Sequence, residues 1–425
     1  MASVTVYQEN ALEFSIEDED PLAFLVACDR NNPWAGVRSR GMRGLGARNK
    51  LCAPPGTIAA RSHNNQAYVL YMRQLAVYLL MQPGRTLTPV VERGSAYLRV
   101  DPPVRREETP DWGILPMASW STATLITNTA KMAAPSFSLP AGSPSFLGAC
   151  PGSKYGMTIE ASDIVRSADN KRRLSVMVDG DTPQTIEDWY DTAICQHCYA
   201  VKGNYAYLNK QLQQMALLFW TRAALRDGSF VPVMTAAIEH SKFYSRQAED
   251  RRWLEVINQK YGRNIGYQRY FRLHDSGDFF SFEYVKAWKE IADYFMPGKG
   301  PGTPTLFWAP TRLWAAGPTA RSWFRVFEGA GDLSRCNMVI RPSAYHVNRR
   351  PPAPAPGESA GSTVHTGGPE EEAAAISGGV FNYPCPASAV GAETKTCVEV
   401  QGPDGGKGCR ACWVRPQDVV SYHLH

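Results

Sequence analysis

Residues 270–280 read Tyr-Phe-Arg-Leu-His-Asp-Ser-Gly-Asp-Phe-Phe, and no other stretch of the chain looks as much like a reaction centre. An aromatic, β-favouring run from Tyr267 to Leu273 ends in a polar turn with a glycine, and a helical pattern begins near Phe282. A strand, a turn and a helix in this order form half of a βαβ unit. Because catalytic side chains of parallel α/β proteins lie at the carboxyl ends of strands, this turn is a candidate functional site.

The polar residues of this turn are the candidate catalytic residues. Asp275 and Asp278 are two carboxylates close together in the chain, beside His274 and Ser276. Carboxylates in one cleft can hold different protonation states, as acid–base chemistry requires. We therefore predict catalytic roles for Asp275, Asp278 and His274. The alternative is a helix N-cap, which accounts for only one or two of these polar residues.

Strand and helix patterns continue to alternate after the turn. A helical pattern over 282–295 precedes a predicted strand at 305–309, and a helix near 321–327 precedes a strand at 338–340. Such alternation predicts parallel strands with helices packed between them. We expect an α/β fold, a β/α (TIM-like) barrel with insertions, followed by a C-terminal Cys-rich metal-binding segment.

Two arginines stand where the last predicted strands end, Arg312 after Pro310-Thr and Arg341 before Pro-Ser. If the strands are neighbours, both guanidinium groups line the same mouth as the two aspartates. They would suit a phosphate or a carboxylate held by paired hydrogen bonds. The alternative is that the prolines mark ordinary loops.

Composition divides the chain into regions. We predict an irregular N-terminal lead-in, a barrel domain with a polar insertion that carries a small strand near 174–178, a flexible linker rich in Pro, Gly and Ser, and a Cys-rich zinc-binding segment. Their respective bounds are 1–62, 63–348 (insertion 153–194), 349–378 and 379–425.

Composition and charge are those of an ordinary globular protein. The chain has 425 residues, of which 44% are hydrophobic and 20% are charged. Its net charge of +5 permits a nucleic-acid partner without requiring one.

The longest apolar stretches of the chain are far shorter than the roughly 18 residues that cross a bilayer. The acidic residues within 1–20 exclude a positively charged signal peptide. We expect no membrane association and a cytoplasmic location, in the host if the gene belongs to a phage.

Ten cysteines are interpreted as ligands or buried apolar residues, because disulfides are rare in a reducing compartment. Cys28, Cys52 and Cys336 are isolated. The other seven form two groups, each with a Cys-x-x-Cys pair, a spacing that aims two sulfurs at one metal ion. They serve one shared site or two separate sites, and both options stay open. The groups are Cys150, Cys195 and Cys198, and Cys385, Cys397, Cys409 and Cys412 with His423 and His425 just beyond.

The segment Asp275-Ser-Gly-Asp-Phe-Phe resembles the Asp-Ser-Gly-Gly-Phe-Gln segment of the guanine transglycosylases, TIM-barrel enzymes that exchange guanine for a 7-deazaguanine base. The resemblance implies that Asp275 serves base exchange, that Ser276 helps hold the base, and that the terminal cysteines bind zinc. Asp278 replaces a glycine of that family, Phe280 replaces its glutamine, and the terminal cysteine spacing differs. The chain also resembles a phage protein family that shares the Cys-Tyr-Ala, His-Asp-Ser-Gly-Asp and terminal Cys-x-x-Cys-Trp elements.

Because phages carry DNA-directed relatives of the transglycosylases, we expect a glycosyltransferase that replaces guanine in phage DNA with a 7-deazaguanine such as preQ0 and so protects the DNA from host restriction. Zinc would be its cofactor, DNA and the free base its partners, and a homodimer is considered as well. One carboxylate of the turn would act as nucleophile and the other as proton donor, with His274 as the alternative proton carrier. The predicted substrate-binding residues are Ser276, Gly277, Phe279, Arg312 and Arg341.

A flipped guanine would also need aromatic surfaces to sandwich it. Core packing is the alternative for each aromatic residue near the turn. The candidates are Phe279, Phe280, Trp308 and Trp314.

A second hypothesis starts from Cys195-Gln-His-Cys-Tyr-Ala, which resembles the end of the cluster loop in radical S-adenosylmethionine enzymes. There, three thiolates leave one iron of a [4Fe–4S] cluster open for the cofactor, which implies Cys150, Cys195 and Cys198 as ligands. Those enzymes are also partial β/α barrels, so the fold does not separate the hypotheses. Here 44 residues separate Cys150 from Cys195, where that family has a few, and the insertion 153–194 would account for the gap.

A third hypothesis is a DNA-binding protein without catalytic activity, held together by zinc at two Cys-x-x-Cys knuckles. It leaves Asp275 and Asp278 unexplained, because paired carboxylates repel a phosphate backbone. Its basic neighbours would be Lys202, Lys210, Arg410 and Arg415.

Overall fold

The structure is a computed structural model that describes residues 66–108, 119–129, 134–144, 147–153, 164–166, 174–176, 184–185, 194–201, 205, 207–241, 255, 259, 266–388, 397, 399–400 and 408–424. The predicted lead-in over 1–62 lies outside these residues, as do Lys202 and His425. Among the helices of this part, none is both long and apolar enough to span a membrane.

Fourteen strands and seven α-helices form within the described residues. In chain order, the strands are β1 Thr86–Glu92, β2 Ser95–Arg105, β3 Ser119–Thr124, β4 Thr127–Thr129, β5 Ala134–Phe137, β6 Ile164–Arg166, β7 Leu174–Val176, β8 Gln184–Thr185, β9 Arg269–Leu273, β10 Thr305–Thr311, β11 Met338–Pro342, β12 Ser362–His365, β13 Tyr383–Pro384 and β14 Val420–His423. The helices are α1 Gln66–Leu80, α2 Leu208–Asp227, α3 Phe230–His240, α4 Phe282–Tyr294, α5 Pro318–Ser322, α6 Pro369–Ser377 and α7 Ala411–Val414.

A five-stranded sheet in the order β11-β10-β9-β5-β4 is the centre of the fold. Strands β5, β9, β10 and β11 are parallel, and β4 pairs with β5 in the antiparallel sense. The predicted α/β class with parallel strands is therefore confirmed. No closure into a barrel is seen among the described strands, because β11 and β4 end this sheet as its edges. All four parallel strands direct their carboxyl ends to the same side.

Both faces of the sheet are covered, and its inner strand β10 and edge strand β11 are correspondingly buried along almost their whole length. On one face, Trp288 of α4 packs against both Phe230 of α3 and Phe271 of β9, with ring centroids 5.9 Å and 6.1 Å away respectively. Ser281 is the N-cap of α4, because its hydroxyl accepts a hydrogen bond from Tyr284 N (3.2 Å). On the opposite face, Trp413 of α7 covers the sheet and donates to Phe271 O (3.0 Å).

Three smaller sheets surround this core. Strands β1, β2 and β3 form an antiparallel sheet, and strands β12, β14 and β13 form a parallel one near the C-terminus. The predicted insertion 153–194 holds an antiparallel sheet of β6, β7 and β8, and β7 lies where a strand was predicted.

Residues 349–378, predicted as a flexible linker, contain β12 and α6 instead. Glu358 anchors this region, because its buried carboxylate forms an ion pair with Arg321 (2.6 Å) and accepts from Ala355 N (2.8 Å). Ser359 N also donates to Ile340 O (2.7 Å) in β11. The prolines and glycines of this stretch therefore shape turns that pack on the sheet.

Candidate functional site

The turn after β9 and the loop after β5 are held together at the carboxyl edge of the sheet. Leu139 N donates to Ser276 O (2.9 Å), and Ser276 Oγ donates back to Leu139 O (2.7 Å). Gly277 has a φ of +86°, and a Cβ at this position would stand 2.7 Å from the Leu139 Cβ. Only glycine therefore fits where the turn meets the loop.

His274 and Ser276 serve this packing. The His274 backbone has a φ of +59°, an uncommon conformation for a residue with a side chain. Its buried ring lies against Phe279, and Nε2 is 3.2 Å from the Tyr284 hydroxyl. Burial and the nearby Arg272 lower the pKa of His274 to about 3, so the ring is neutral near pH 7. The buried Ser276 hydroxyl accepts from Gln214 Nε2 (2.8 Å).

Asp275 is the centre of a hydrogen-bond network. Its carboxylate forms an ion pair with Arg272 (2.7 Å) and accepts from the Tyr199 hydroxyl (2.9 Å) and the Tyr205 hydroxyl (2.6 Å). The Tyr199 hydroxyl also lies against the Asp275 carbonyl oxygen. Tyr199 directly follows Cys198, so this network joins the turn after β9 to the Cys-x-x-Cys pair.

Asp278 binds the end of β10 to the same turn. Its carboxylate accepts from Thr311 Oγ1 (2.7 Å), Arg312 N (2.7 Å) and Phe279 N (2.8 Å). Burial raises the pKa of Asp278 to about 6, although these three hydrogen bonds act to lower it. A carboxyl group with this pKa exchanges a proton near neutral pH.

The aromatic residues that were predicted to contact a base lie mainly within the core. Phe279 is fully buried, edge-on to Phe324 in the core, so it offers no surface to a base. Trp308 is also buried and packs edge-on against Trp413. Phe280 stacks on Tyr284, with ring centroids 4.7 Å apart. The positions of Phe279, Trp308 and Phe280 therefore favour a role in core packing over a role in sandwiching a flipped guanine.

Arg341 does not line the mouth with Arg312. Its side chain is fully buried and directed into the C-terminal segment, where its guanidinium donates to main-chain carbonyl oxygens. The structure therefore places the Arg341 side chain away from the mouth, because it is directed to the face of the sheet that the C-terminal segment covers. Arg312, by contrast, lies beside Asp278 and the cysteine pair.

The structure places Cys150 within electrostatic range of Cys195 and Cys198. Burial raises the pKa of Cys150 well above its usual value. The nearby charges of Asp278, Cys198 and Cys195 raise that pKa further. Burial and the charge of Cys195 raise the pKa of Cys198 to about 11. These thiols therefore influence one another in the fold although the insertion lies between them in the chain.

Tight backbone contacts hold the Cys150 loop at the strand ends. Cys150 N donates to Gly142 O (2.9 Å), and Ser153 N donates to Cys150 O (3.0 Å). A Cβ on Gly152 would stand 1.8 Å from Arg312 O, so this loop lies directly on the residue that follows β10. The Arg312 guanidinium in turn donates to Cys195 Sγ.

The terminal cysteines form a second group. Cys385, Cys397, Cys409 and Cys412 are free thiols, and the charges of Cys412 and Cys409 add to burial in raising the pKa of Cys385 to about 12. Cys409 N donates to Cys397 O (2.6 Å). His423, considered as a ligand, has its Nε2 3.1 Å from Gly367 O and its ring against His365.

No three His, Cys, Asp or Glu side chains among the described residues meet the arrangement expected around one metal ion. Any metal assignment therefore depends on the chemistry of the donor sets. Both cysteine groups offer soft thiol donors, which favour zinc and iron–sulfur clusters over hard cations.

The family model of gene product 88 matches residues 116–415, which is more than half of the chain. The chain belongs to the gene product 88 family. No curated protein and no solved structure matches it. The range shared with the gene product 88 family includes both cysteine groups and the whole turn after β9.

Several residues of the site in this gene product 88 chain were not predicted from the sequence. Arg272, Tyr199 and Tyr205 surround Asp275, and Thr311 binds Asp278. The spacing of Arg272 and Asp275 was a usable signal, because opposite charges this close in the chain often pair. The contacts of Tyr205 and Thr311 depend on folding and left no local signal.

Proposed function

We propose that the chain is an iron–sulfur enzyme that uses S-adenosylmethionine, with Cys150, Cys195 and Cys198 as the ligands of a [4Fe–4S] cluster. The observation that carries this proposal is the approach of Cys150 to the Cys195–Cys198 pair across 44 intervening residues. Arg312, at the carboxyl end of β10, supports this grouping because its guanidinium donates to Cys195 Sγ and its carbonyl oxygen lies against Gly152, two residues after Cys150. The carboxyl ends of parallel strands are where α/β enzymes place their reactive groups.

The donor set suits a cluster better than a single ion. A lone zinc ion needs all its sulfurs about 2.3 Å from one point, and the described residues contain no such group. In a cluster each thiolate binds a different iron, so the sulfurs stand farther apart. When bound, a cluster with three thiolate ligands keeps one iron open for S-adenosylmethionine and supplies the electron that starts radical chemistry.

Arg312 is suited to hold these thiolates in place. Its guanidinium donates to Cys195 Sγ, and its positive charge acts to lower the pKa of Cys198. Through its main-chain N–H it also fixes the carboxylate of Asp278 (2.7 Å). One residue therefore positions the cysteine pair and the acidic group relative to each other.

Asp275 has a supporting role in this proposal. The Tyr199–Asp275 hydrogen bonds fix the residue next to Cys198, and the Arg272 ion pair fixes Asp275 itself. Asp278 is the group that can hold or release a proton, at its carboxylate oxygens, because its pKa lies near 6.

The test is to purify the full chain without oxygen and to measure iron and acid-labile sulfide per chain. We expect about four of each, and cleavage of S-adenosylmethionine to 5′-deoxyadenosine and methionine after addition of dithionite. Separate Ala substitutions of Cys150, Cys195 and Cys198 should each abolish both signals. Cys336→Ala is the matched control. Cys336 is also a buried thiol, but the charged groups that influence it are Lys289, Asp293 and Lys299 and not other cysteines. A wild-type chain without iron and sulfide would refute the proposal.

Base exchange on DNA is the second candidate, because Asp278 is a buried carboxyl group that can give and take a proton near neutral pH. The nucleophile would then be Asp275, and its carboxylate would have to leave Arg272 and two tyrosines before attacking a sugar. We rank this candidate second for that reason.

The two candidates are separated by the nucleosides of DNA from cells that express the chain with a supply of 7-deazaguanine. Base exchange predicts deazaguanine nucleosides by mass spectrometry that disappear with Asp275→Asn while iron content stays constant. Unmodified DNA, together with cleavage of S-adenosylmethionine, would remove base exchange from consideration.

A further inference from the structure

Tyr199 is an aromatic residue that is held in place and yet exposed. It keeps 53% of its surface open to solvent, the largest share of any large apolar side chain in the part of the chain that the structure describes. Its hydroxyl is nonetheless fixed, because it donates to Asp275 Oδ1 (2.9 Å) and accepts from Arg272 Nη2 (3.3 Å). The next two residues, Ala200 and Val201, are buried and anchor the turn. A fixed, exposed ring loses side-chain entropy without gaining burial, a loss that a ligand packed on the ring would offset.

A lysine lies beside this ring. The Tyr205 ring packs edge-on against Tyr199, with ring centroids 5.9 Å apart, and the Lys210 ammonium is 5.4 Å from the centre of the Tyr205 ring. The ammonium donates to Gln213 Oε1 (3.3 Å), an uncharged acceptor. Lys210 forms no ion pair with a carboxylate of the described residues. Its charge is therefore open to a ligand.

The charges around the ring favour an anion. Asp275 is the carboxylate whose charge acts on Lys210, and it already pairs with Arg272 (2.7 Å). Two cations and one carboxylate leave one positive charge among these described groups. That charge would repel an aromatic cation and attract an aromatic ligand with a negative charge.

We propose that Tyr199 and Lys210 form the binding site of a planar aromatic anion, which stacks on the Tyr199 ring and pairs with the Lys210 ammonium. A tyrosine offers a large contact area to a planar ring at a low cost in side-chain entropy. The inference rests on the proposed function only for the role of this ligand. Because Tyr199 directly follows Cys198, a ligand stacked on it lies next to the proposed cluster and is then the substrate. The substrate class is an aromatic carboxylate or an aromatic phosphate.

Phe282 provides an internal comparison. Its side chain is 37% exposed, and the Lys286 ammonium lies 5.0 Å from the centre of its ring. Phenylalanine has no polar atom that could fix the ring as the Tyr199 hydroxyl does. Phe282→Ala is therefore a matched control for the removal of an exposed ring beside a lysine.

The first measurement compares charged and neutral ligands on the full wild-type chain, purified without oxygen. Titrations followed by saturation-transfer NMR use indoleacetate and uridine monophosphate as the anions, with indoleacetamide and uridine as their neutral analogues. We expect at least one anion to bind about three- to fivefold more tightly than its neutral analogue, and about 0.5 M NaCl to remove this advantage. The anion that binds more tightly assigns the substrate to the carboxylates or to the phosphates. Anions that bind no better than their neutral analogues would overturn the proposal.

Substitutions locate the binding. Tyr199→Ala should weaken binding of the preferred anion about tenfold, the usual effect of losing a stacked ring, and Phe282→Ala should leave it unchanged. Lys210→Met should reduce the affinity for the anion to that for its neutral analogue. Unchanged binding in a folded Tyr199→Ala variant would refute the site. If that variant does not fold, Lys210→Met, which alters a half-buried side chain, decides in its place: unchanged binding there would refute the site as well.

Iron content is measured on the same samples, so that this inference and the proposed cluster can fail separately. Iron and sulfide without anion binding would overturn the aromatic-anion site and leave the cluster in place. Anion binding without iron would support the site and remove the cluster.

Discussion

Replacing Gly277 by alanine tests whether the turn after β9 must touch the loop after β5. A new Cβ would stand 2.7 Å from the Leu139 Cβ and 2.9 Å from the Leu139 carbonyl oxygen, closer than such atoms approach in proteins. Neither Leu139 atom belongs to the end of a flexible side chain, so the turn itself must move. The left-handed backbone (φ +86°) adds about 1–2 kcal/mol for any residue with a Cβ.

Movement of the turn also strains the hydrogen bonds between Ser276 and Leu139, each worth about 1 kcal/mol. Together these effects predict that Gly277→Ala lowers the free energy of unfolding by about 3–5 kcal/mol. Gly298→Ala is the matched control, because Gly298 has a φ of +71° and nothing within 4 Å of an added Cβ. It should cost only the backbone strain, about 1–2 kcal/mol.

The assay is urea unfolding followed by tryptophan fluorescence, with iron content measured on the same samples. Gly277→Ala should also lose iron, because the displaced loop leads directly to Cys150. Equal destabilisation by the two alanine variants would refute the argument, since the difference between them isolates the contact with Leu139.

Three further predictions concern single side chains. The folded-state pKa of Asp278 is raised from 3.8 to about 6, so its contribution to stability is lost as the pH rises through 6. Between about pH 5 and pH 7.5, wild type should lose about 1–2 kcal/mol more than Asp278→Asn in urea unfolding, and parallel pH profiles would contradict the raised pKa. Ser276→Ala should cost about 1–3 kcal/mol, because it leaves the Gln214 amide without its acceptor; an unchanged urea midpoint would exclude that bond. Trp413→Ala should cost about 3–5 kcal/mol by leaving a cavity over the sheet, and a thermal midpoint within a degree or so of wild type would show that the segment does not pack there.

Three of the four parallel strands, β9, β10 and β11, were predicted because their signals are local, and β5 was not. The run ending at Leu273 is aromatic and the one ending at Thr311 is mostly apolar, and each is followed by a turn or a helix. Prolines and glycines over 349–378 predict a flexible linker, and the structure has β12 and α6 in that stretch. The ion pair of Glu358 with Arg321, between residues distant in sequence, orders that stretch.

Site residues were predicted where chemistry is concentrated in a few consecutive positions. The turn from His274 to Asp278 met that condition, and so did both cysteine pairs. The surroundings of Arg341 could not be predicted, because they depend on carbonyl groups 70 or more residues later in the chain. Cys150 was grouped with Cys195 and Cys198 through the resemblance to a cluster loop, because a gap of 44 residues gives no spacing signal.

The opposite faces of the central sheet are covered at different times during synthesis. Helices α3 and α4 are made before β10 and β11, so their face can be buried as each strand emerges. The other face, with Tyr270, Trp308 and Val339, packs against residues 408–424, which follow β11 by a long stretch of chain. A ribosome paused before these last residues would therefore present a nascent chain with one apolar sheet face bare, which makes the final segment a determinant of aggregation during translation.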